Sequence, residues 1–417
     1  MATHNTAPNM VPSVTTYSLE DIVTNGLCMG CGLCRSLFPE AIEAEYARDG
    51  LQRPRAVRPL TDQETFLLNA TCPGIRVSYP ELDVAPDHMW GPIRRIARGH
   101  SSDTAVRFKS ASGGSLTALA IHILEAGKAD FILHVRHDPD RPLLSLATRS
   151  YTREQVIAAS GSRYTATAPL IEFAQILDEG RPFAIVAKPC DLTAVANLGR
   201  LDPRVDKLCK YRLAMVCGGF SELSRFRDQL ELWNIDESEL TRFSFRGNGC
   251  PGPTAATTYD GRHEEITYWD FWGNEDTWRT FFRCKICPDA VGLSADIAVL
   301  DIWDDCNPTS ENDGWNAVIC RTARGESLLN EAEARGDFVI DMPWTISDLD
   351  RAQPHQTRKR RAVRARLGAM QTAGLPFPVC EDPGLTAISL DPMSDEFRNE
   401  TDGTLRRLAK GAHTRND

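Results

Sequence analysis

Three cysteines two residues apart, Cys28-Met-Gly-Cys31-Gly-Leu-Cys34, constrain this 417-residue chain more than any other feature. Evenly spaced thiols on a glycine-rich loop converge on one small object, and C-x2-C-x2-C is a spacing that wraps a 4Fe–4S cluster. Gly30 and Gly32 let the backbone come close to it. Bacterial runs of this kind continue through three residues to a fourth Cys and a Pro. Here Phe38 stands in that position, followed by Pro39. The fourth thiol must come from elsewhere, and Cys72, in the turn Thr71-Cys72-Pro73-Gly74, is the candidate. Structural zinc sites usually pair two separated C-x2-C knuckles instead. The expectation is a one-electron centre.

The rest of the cysteine usage agrees. There are 13 cysteines, an odd number gathered in short motifs. The first residues carry no apolar signal core, so reduced thiols and metal binding are expected rather than disulfides. No stretch approaches about 18 consecutive apolar residues, so no membrane span is expected. With 47 basic against 57 acidic side chains the net charge is −10, which argues against bulk nucleic-acid binding. A cytoplasmic protein of two or three domains is the expectation.

Along the chain, residues 1–16 read as a disordered polar arm and 17–80 as an iron–sulfur segment of ferredoxin-like character. Residues 81–99, with Pro86 and Pro92, read as a linker. An α/β pattern fills 100–385. Leu116, Leu119, Ala120, Ile123 and Leu124 follow the helical i, i+3, i+4 rhythm, opened by Ser112-Gly113-Gly114 and closed by Gly127. Apolar runs at 131–136, 182–188, 213–216 and 296–300 read as buried strands. They predict a mostly parallel sheet with ligands at its carboxyl edge. The stretch 351–366 reads as a basic helix, either a solvated face or a docking surface for an acidic carrier. Residues 386–417 read as a polar, weakly ordered tail.

A second thiol group lies downstream. Cys284-Lys-Ile-Cys287 is a C-x2-C pair, and Cys190 and Cys217 each follow a strand. One sheet edge brings the latter two to a common point. Spacing alone leaves a cluster, a zinc site and a redox dithiol open. Cys209, Cys250, Cys306, Cys320 and Cys380 have no partner motif, although Gly249-Cys250-Pro251-Gly252 resembles a cluster-facing turn. Gly247-Asn-Gly249-Cys-Pro-Gly252 matches G-x-G-x-x-G formally, but its prolines and the lack of a following helix mark a loop. Ser112, Gly113 and Gly114 at a helix N-terminus suit either an anion such as a flavin pyrophosphate or a plain cap. Ser162, Arg163 and Tyr164 offer groups for a phosphate and a ring. His134 and His137, at a strand end, suit proton supply or a structural role.

Taken in order, Ser110-Ala-Ser-Gly-Gly-Ser-Leu-Thr117, Gly161-Ser-Arg-Tyr164, Pro189-Cys190, Cys217-Gly-Gly219, Cys284-x2-Cys287 and Ser294-Ala-Asp-Ile-Ala-Val-Leu-Asp-Ile-Trp303 resemble the beta-subunit family of coenzyme F-420 (deazaflavin) hydrogenases and dehydrogenases. That family includes hydroxymethyl chlorophyll reductase and ferredoxin-type divinyl chlorophyllide reductase relatives. The resemblance implies FAD and two 4Fe–4S clusters. Cys28, Cys31, Cys34 and Cys72 would hold one cluster; Cys190, Cys217, Cys284 and Cys287 the other. Ser112, Gly113, Gly114, Thr117, Ser162 and Tyr164 become flavin candidates, and no catalytic residue is assigned. It further implies an oxidoreductase that takes electrons from ferredoxin or another soluble carrier through the clusters to FAD, then delivers a hydride to a small organic substrate. The alternative is an electron-transfer subunit linking a catalytic partner to a deazaflavin or ferredoxin carrier. A homo-oligomer or a partner subunit is compatible with either. Gly218, where the family often has His, and Leu300, where it often has Gly, are departures that leave the substrate open.

Overall fold

Capping boxes open the first and third helices of the N-terminal segment. Ser18 with Asp21 opens helix α1 (Leu19–Thr24), and Gly32, in the left-handed region, opens α2 (Leu33–Leu37). An antiparallel hairpin, β1 (Ile42–Tyr46) and β2 (Gln52–Ala56), follows. Thr61 with Glu64 then opens α3 (Asp62–Thr71), which ends on Cys72. The computed structural model describes residues 16–79, 84–303 and 313–414. The expected arm therefore lies outside the described residues except for Thr16, as do Cys306 and part of the expected linker.

Eight strands form the central sheet. They are β3 (Arg95–Ser101), β4 (Phe131–His137), β5 (Ser145–Ser150), β6 (Phe183–Ala187), β7 (Cys209–Met215) and, after a separate three-stranded sheet of β8 (Leu240–Ser244), β9 (Thr254–Thr258) and β10 (His263–Ile266), β11 (Ile297–Ile302), β12 (Trp315–Cys320) and β13 (Phe338–Pro343). Their spatial order is β13-β3-β12-β11-β7-β6-β4-β5. The four strands read from sequence are the central block β11-β7-β6-β4, and all three of its pairings are parallel. The four flanking strands pair antiparallel. The sheet is therefore mixed, not mostly parallel. Strands covered on both faces read as apolar runs, whereas β3, Arg-Ile-Ala-Arg-Gly-His-Ser, carries too many polar residues to be seen that way. Its presence also ends the expected linker at residue 94.

Alternate residues of the central strands enter opposite cores. Phe183, Ile185, Ala298 and Leu300 face one side, with Leu192 and Val195 of helix α5 (Pro189–Gly199). Ala184, Leu213, Ile297 and Val299 face the other, with Leu119 and Ile123 of helix α4 (Ser115–Glu125). The result is three layers, helix–sheet–helix. A further core joins the two chain ends. Leu19, Ile22, Leu27 and Leu68 pack with Val363 and Met370 of helix α6 (Pro354–Thr372) and with Leu408. Leu408 belongs to a helix, Asp395–Ala409, so the expected loose tail is ordered. Its polar sequence hides this because only Thr404 and Leu408 are buried in it.

Candidate metal centres

The sheet aligns two thiols by a simple rule. Ala187 of β6 pairs in register with Ala214 of β7, and a cysteine follows each by three residues. Cys190 and Cys217 thus leave neighbouring strands at one edge. The Cys284–Cys287 loop is pinned beside them: Cys217 N donates to Ala290 O (2.7 Å) and Phe281 N to Phe220 O (3.3 Å). From α6, Gln356 Nε2 donates to Cys217 O (3.1 Å). Cys190, Cys217, Cys284 and Cys287 all line one cavity of about 360 Å³, together with Lys188, Arg283 and Lys359.

Cys28, Cys31, Cys34 and Cys72 line a second cavity of about 550 Å³, Cys34 from α2 and Cys72 from the end of α3. Met29 lines both cavities and packs with Phe220, Phe281 and Cys284. The two thiol sets therefore adjoin across one methionine. Buried Arg283 also spans them, lining the smaller cavity while Nη2 donates to Pro73 O (2.8 Å) beside Cys72.

Among the described residues, no group of three His, Cys, Asp or Glu closes on the geometry of a single ion. Thiols arranged around a cavity rather than a point suit a larger, polynuclear group, and the local chemistry fits a 4Fe–4S cluster in each place. Gly30 N donates to Cys28 Sγ (3.4 Å) and Gly219 N to Cys217 Sγ (3.4 Å). Backbone amides of Leu33, Arg35, Gly74 and Phe220 are directed at Cys31, Cys34, Cys72 and Cys284. Amide donors to sulfur are how a protein tunes such a centre. A Cβ on Gly74 would sit 3.3 Å from Cys72 Sγ, and one on Gly219 3.2 Å from Cys284 Cβ, so both glycines keep the cradles clear.

Burial, above all, raises the thiols of Cys28, Cys31, Cys34, Cys72, Cys190, Cys217 and Cys284; it pushes Cys72 to about 12 and Cys217 to about 11. Free, these groups stay protonated at neutral pH. A metal needs thiolates, so loading releases protons and is opposed by acid.

The residues expected for a flavin divide. Ser112 is buried and donates to Trp315 O. Ser115 N donates to Asn316 Oδ1 (3.2 Å), and a Cβ on Gly113 would lie 2.9 Å from the same oxygen. The Asn316 carboxamide thus packs against this helix start from β12. Thr117 lies on α4 beyond that start. Ser162 is half-buried before Tyr164, whose hydroxyl accepts from Arg246 Nη1 (3.0 Å). Arg246 also binds Asp301 (2.6 Å) and Ala111 O (2.8 Å), and lies over the Tyr268 and Trp303 rings. It joins Tyr164 to the Ser112 loop, a link with no mark in the sequence.

Other expectations resolve more simply. Residues 247–252 form a loop, with Gly247, Gly249 and Gly252 all at positive φ. Cys250 lies in neither cavity; it is buried and accepts from Trp303 Nε1 (3.4 Å). His134 is held by Ser150 (2.7 Å) and lowered by burial to about 4, which is a structural role. Within the basic run, Arg360 binds Asp382 (2.7 Å) and Pro288 O (3.1 Å), and Arg366 binds Glu400 (2.8 Å). Arg360 and Arg366 are thus internal scaffolding, Arg358, Arg361 and Arg364 are exposed, and Lys359 lines the second cavity. Lys188, Arg283 and Lys359 were missed as site residues; the first two are the immediate neighbours of ligand motifs, which was the available signal.

Such a molecule is an α/β protein with two adjoining four-thiol cavities. Residues 96–174 match the N-terminal model, and 180–343 the C-terminal model, of the coenzyme F420 hydrogenase/dehydrogenase beta subunit. The chain belongs to that family. The matched span holds the second thiol set and leaves the first outside.

Among relatives, the beta subunit of F420-dependent formate dehydrogenase 1 from Methanococcus maripaludis is 24% identical over 58% of this chain and 60% of that subunit. The coenzyme F420 hydrogenase beta subunit of Methanosarcina barkeri is 24% identical over 60% of this chain and 83% of its own. The coenzyme F420-dependent sulfite reductase of Methanocaldococcus jannaschii is 23% identical over 76% of this chain and 48% of its own. The chain thus spans only about half to four-fifths of these proteins. A solved chain from the F420-reducing NiFe hydrogenase complex of Methanosarcina barkeri superposes with a TM-score of 0.53 at 20% identity, covering 72% of this chain and 99% of that one. That likeness shows the fold. Among the described residues, no helix is long and apolar enough to cross a membrane.

Proposed function

We propose that this chain is an electron-transfer beta subunit, passing electrons between a catalytic partner subunit and a soluble deazaflavin carrier. The observation that carries it is the adjacency of the two four-thiol cavities across Met29. The relatives support the same reading, since their names are those of beta subunits in F420-dependent redox enzymes. In this reading Cys28, Cys31, Cys34 and Cys72 hold one 4Fe–4S cluster, and Cys190, Cys217, Cys284 and Cys287 hold a second. Bound clusters supply one-electron chemistry, and a flavin, if the chain carries one, supplies the two-electron exchange with an organic carrier.

The chain's own residues then have definite work. The glycines bring amides to the sulfurs. Met29, Phe220 and Phe281 exclude water between the two sites. Arg283, buried, offsets thiolate charge on both sides.

Anaerobic purification with iron, acid-labile sulfide, zinc and flavin analysis tests this. Two clusters per chain are expected, and Cys31→Ala should lose about half the iron while Cys284→Ala loses the other half. Zinc in place of iron, or iron unchanged in Cys31→Ala, sinks the assignment. Carrier reduction should need an added partner subunit. Turnover of a small substrate by the chain alone, fed by ferredoxin, would instead favour a self-sufficient FAD-dependent reductase.

A further inference from the structure

Helix α6 carries six basic side chains, Lys and Arg together, and no Asp or Glu. Its two faces differ. The inner face borders the second thiol set: Gln356 Nε2 donates to Cys217 O (3.1 Å), and Lys359 lines the cavity of Cys190, Cys217, Cys284 and Cys287. The outer face presents Arg358, Arg361 and Arg364, all exposed. They follow one another at i, i+3, the spacing that sets side chains along one stripe. A helix with its side chains is about 10–12 Å across, so the stripe lies about one helix diameter from that cavity.

The carboxylates that packing brings to α6 are already committed. Asp382 holds the buried Arg360 (2.7 Å), and Glu400 holds Arg366 (2.8 Å). Glu275 stands 3.7 Å from Arg358, an exposed pair that neutralises little. Asp391 follows Leu390, whose amide donates to Arg361 O, but its carboxylate accepts from Met393 N (2.9 Å). Lys359, Arg361 and Arg364 hold no ion pair among the described residues. On a chain of net charge −10, this is a local reversal of sign. The helix lies beyond residue 343, outside the span that matches the family models.

Resting on the cluster assignment proposed above, we infer that the outer face of α6 is the docking surface for an acidic one-electron redox protein, which exchanges electrons with the second thiol set. Carboxylates on that protein meet Arg361 and Arg364, speed the encounter and fix its orientation. Each encounter moves one electron between the two proteins, and no bond forms or breaks. A nucleic acid fits less well, because the stripe is short, α6 carries no Phe, Tyr or Trp on which a base could stack, and the chain as a whole is acidic.

Stopped-flow reduction of the anaerobic, iron-loaded full chain by a reduced, acidic bacterial ferredoxin tests this. The wild-type second-order rate should fall steeply from about 10 mM to about 1 M salt, as the Debye length shrinks from about 30 to about 3 Å. Arg361→Glu with Arg364→Glu should lower the low-salt rate by about tenfold or more and flatten its salt dependence. Calorimetric affinity for oxidised ferredoxin, a readout without turnover, should weaken alongside. Iron content and reduction by dithionite should stay as in wild type, since both side chains are exposed and unpaired. Lys207→Glu with Lys210→Glu makes the same change in net charge at the far end of β7 from Cys217, and should leave rate and affinity near wild type. A salt-insensitive wild-type rate, or equal losses in the two double variants, overturns the docking face and leaves the cluster assignment standing. Salt-sensitive capture of an RNA oligonucleotide, lost in the α6 double variant while the ferredoxin rate holds, overturns it too. Wild-type protein without iron overturns both.

Discussion

Single residues in this chain are constrained by what lies behind them. Gly32 has φ +88°, and a Cβ there would lie 2.8 Å from the backbone of Ile171. Gly127 has φ +64° with nothing within 4 Å. Ala at either position costs roughly 1–2 kcal/mol for the left-handed backbone. Only Gly32→Ala adds a clash beside Cys31 and Cys34. Urea unfolding should therefore show Gly32→Ala as clearly the more destabilised, with iron lost as well. Equal midpoints would mean the loop yields freely. The thiols themselves were legible, because their motif spacing is local. The partners of Arg246 were not, because Tyr164, Asp301 and Ala111 come from segments far apart in sequence.

At the level of elements, α3 shows how a surface feature places a thiol. Its capping box, Thr61 with Glu64, fixes where the helix begins, and ten residues later it ends on Cys72. Thr61→Ala should cost about 1 kcal/mol, seen as a lower urea midpoint and looser iron at the first set; an unchanged midpoint would show the cap to be idle. Glu64 is held at about 2, against an ordinary 4.5, first by its hydrogen bond from Arg58 and then by the Thr61 amide. Because its folded value is depressed, its contribution is complete above about pH 4.5 and fades as the pH falls through 2. Glu64→Gln should lower the neutral and alkaline part of a stability profile uniformly and leave the acid part less changed, so that the fall between about pH 4.5 and 2 is shallower. Parallel strands were legible as apolar runs. The antiparallel β3 and β5 were not, since polar positions break their pattern.

Over the whole molecule, the two chain ends close one core. Leu408 packs in the cluster that holds Leu19, Ile22, Leu27 and Leu68, the frame of the first thiol set. Leu408→Ala should cost roughly 2 kcal/mol or more. On heating, iron should leave the first set before the second, since the second is carried by the central sheet. Simultaneous loss of both EPR signals would show that the two sites unfold as one unit. The same closure explains why a tail read as loose is a helix: its stability comes from two inward residues and the Arg366–Glu400 pair, not from any hydrophobic run of its own.

The sequence alone determined the inventory of motif thiols, the four central strands and the loops that follow them, because spacing, apolar runs and turn residues act within a few positions of one another. Only the tertiary structure decided which thiols share a cavity, that one methionine adjoins both sets, and that Arg246 links Tyr164 to the Ser112 loop. Those are relations between segments brought together by packing the sheet and joining the termini, and no local pattern encodes them.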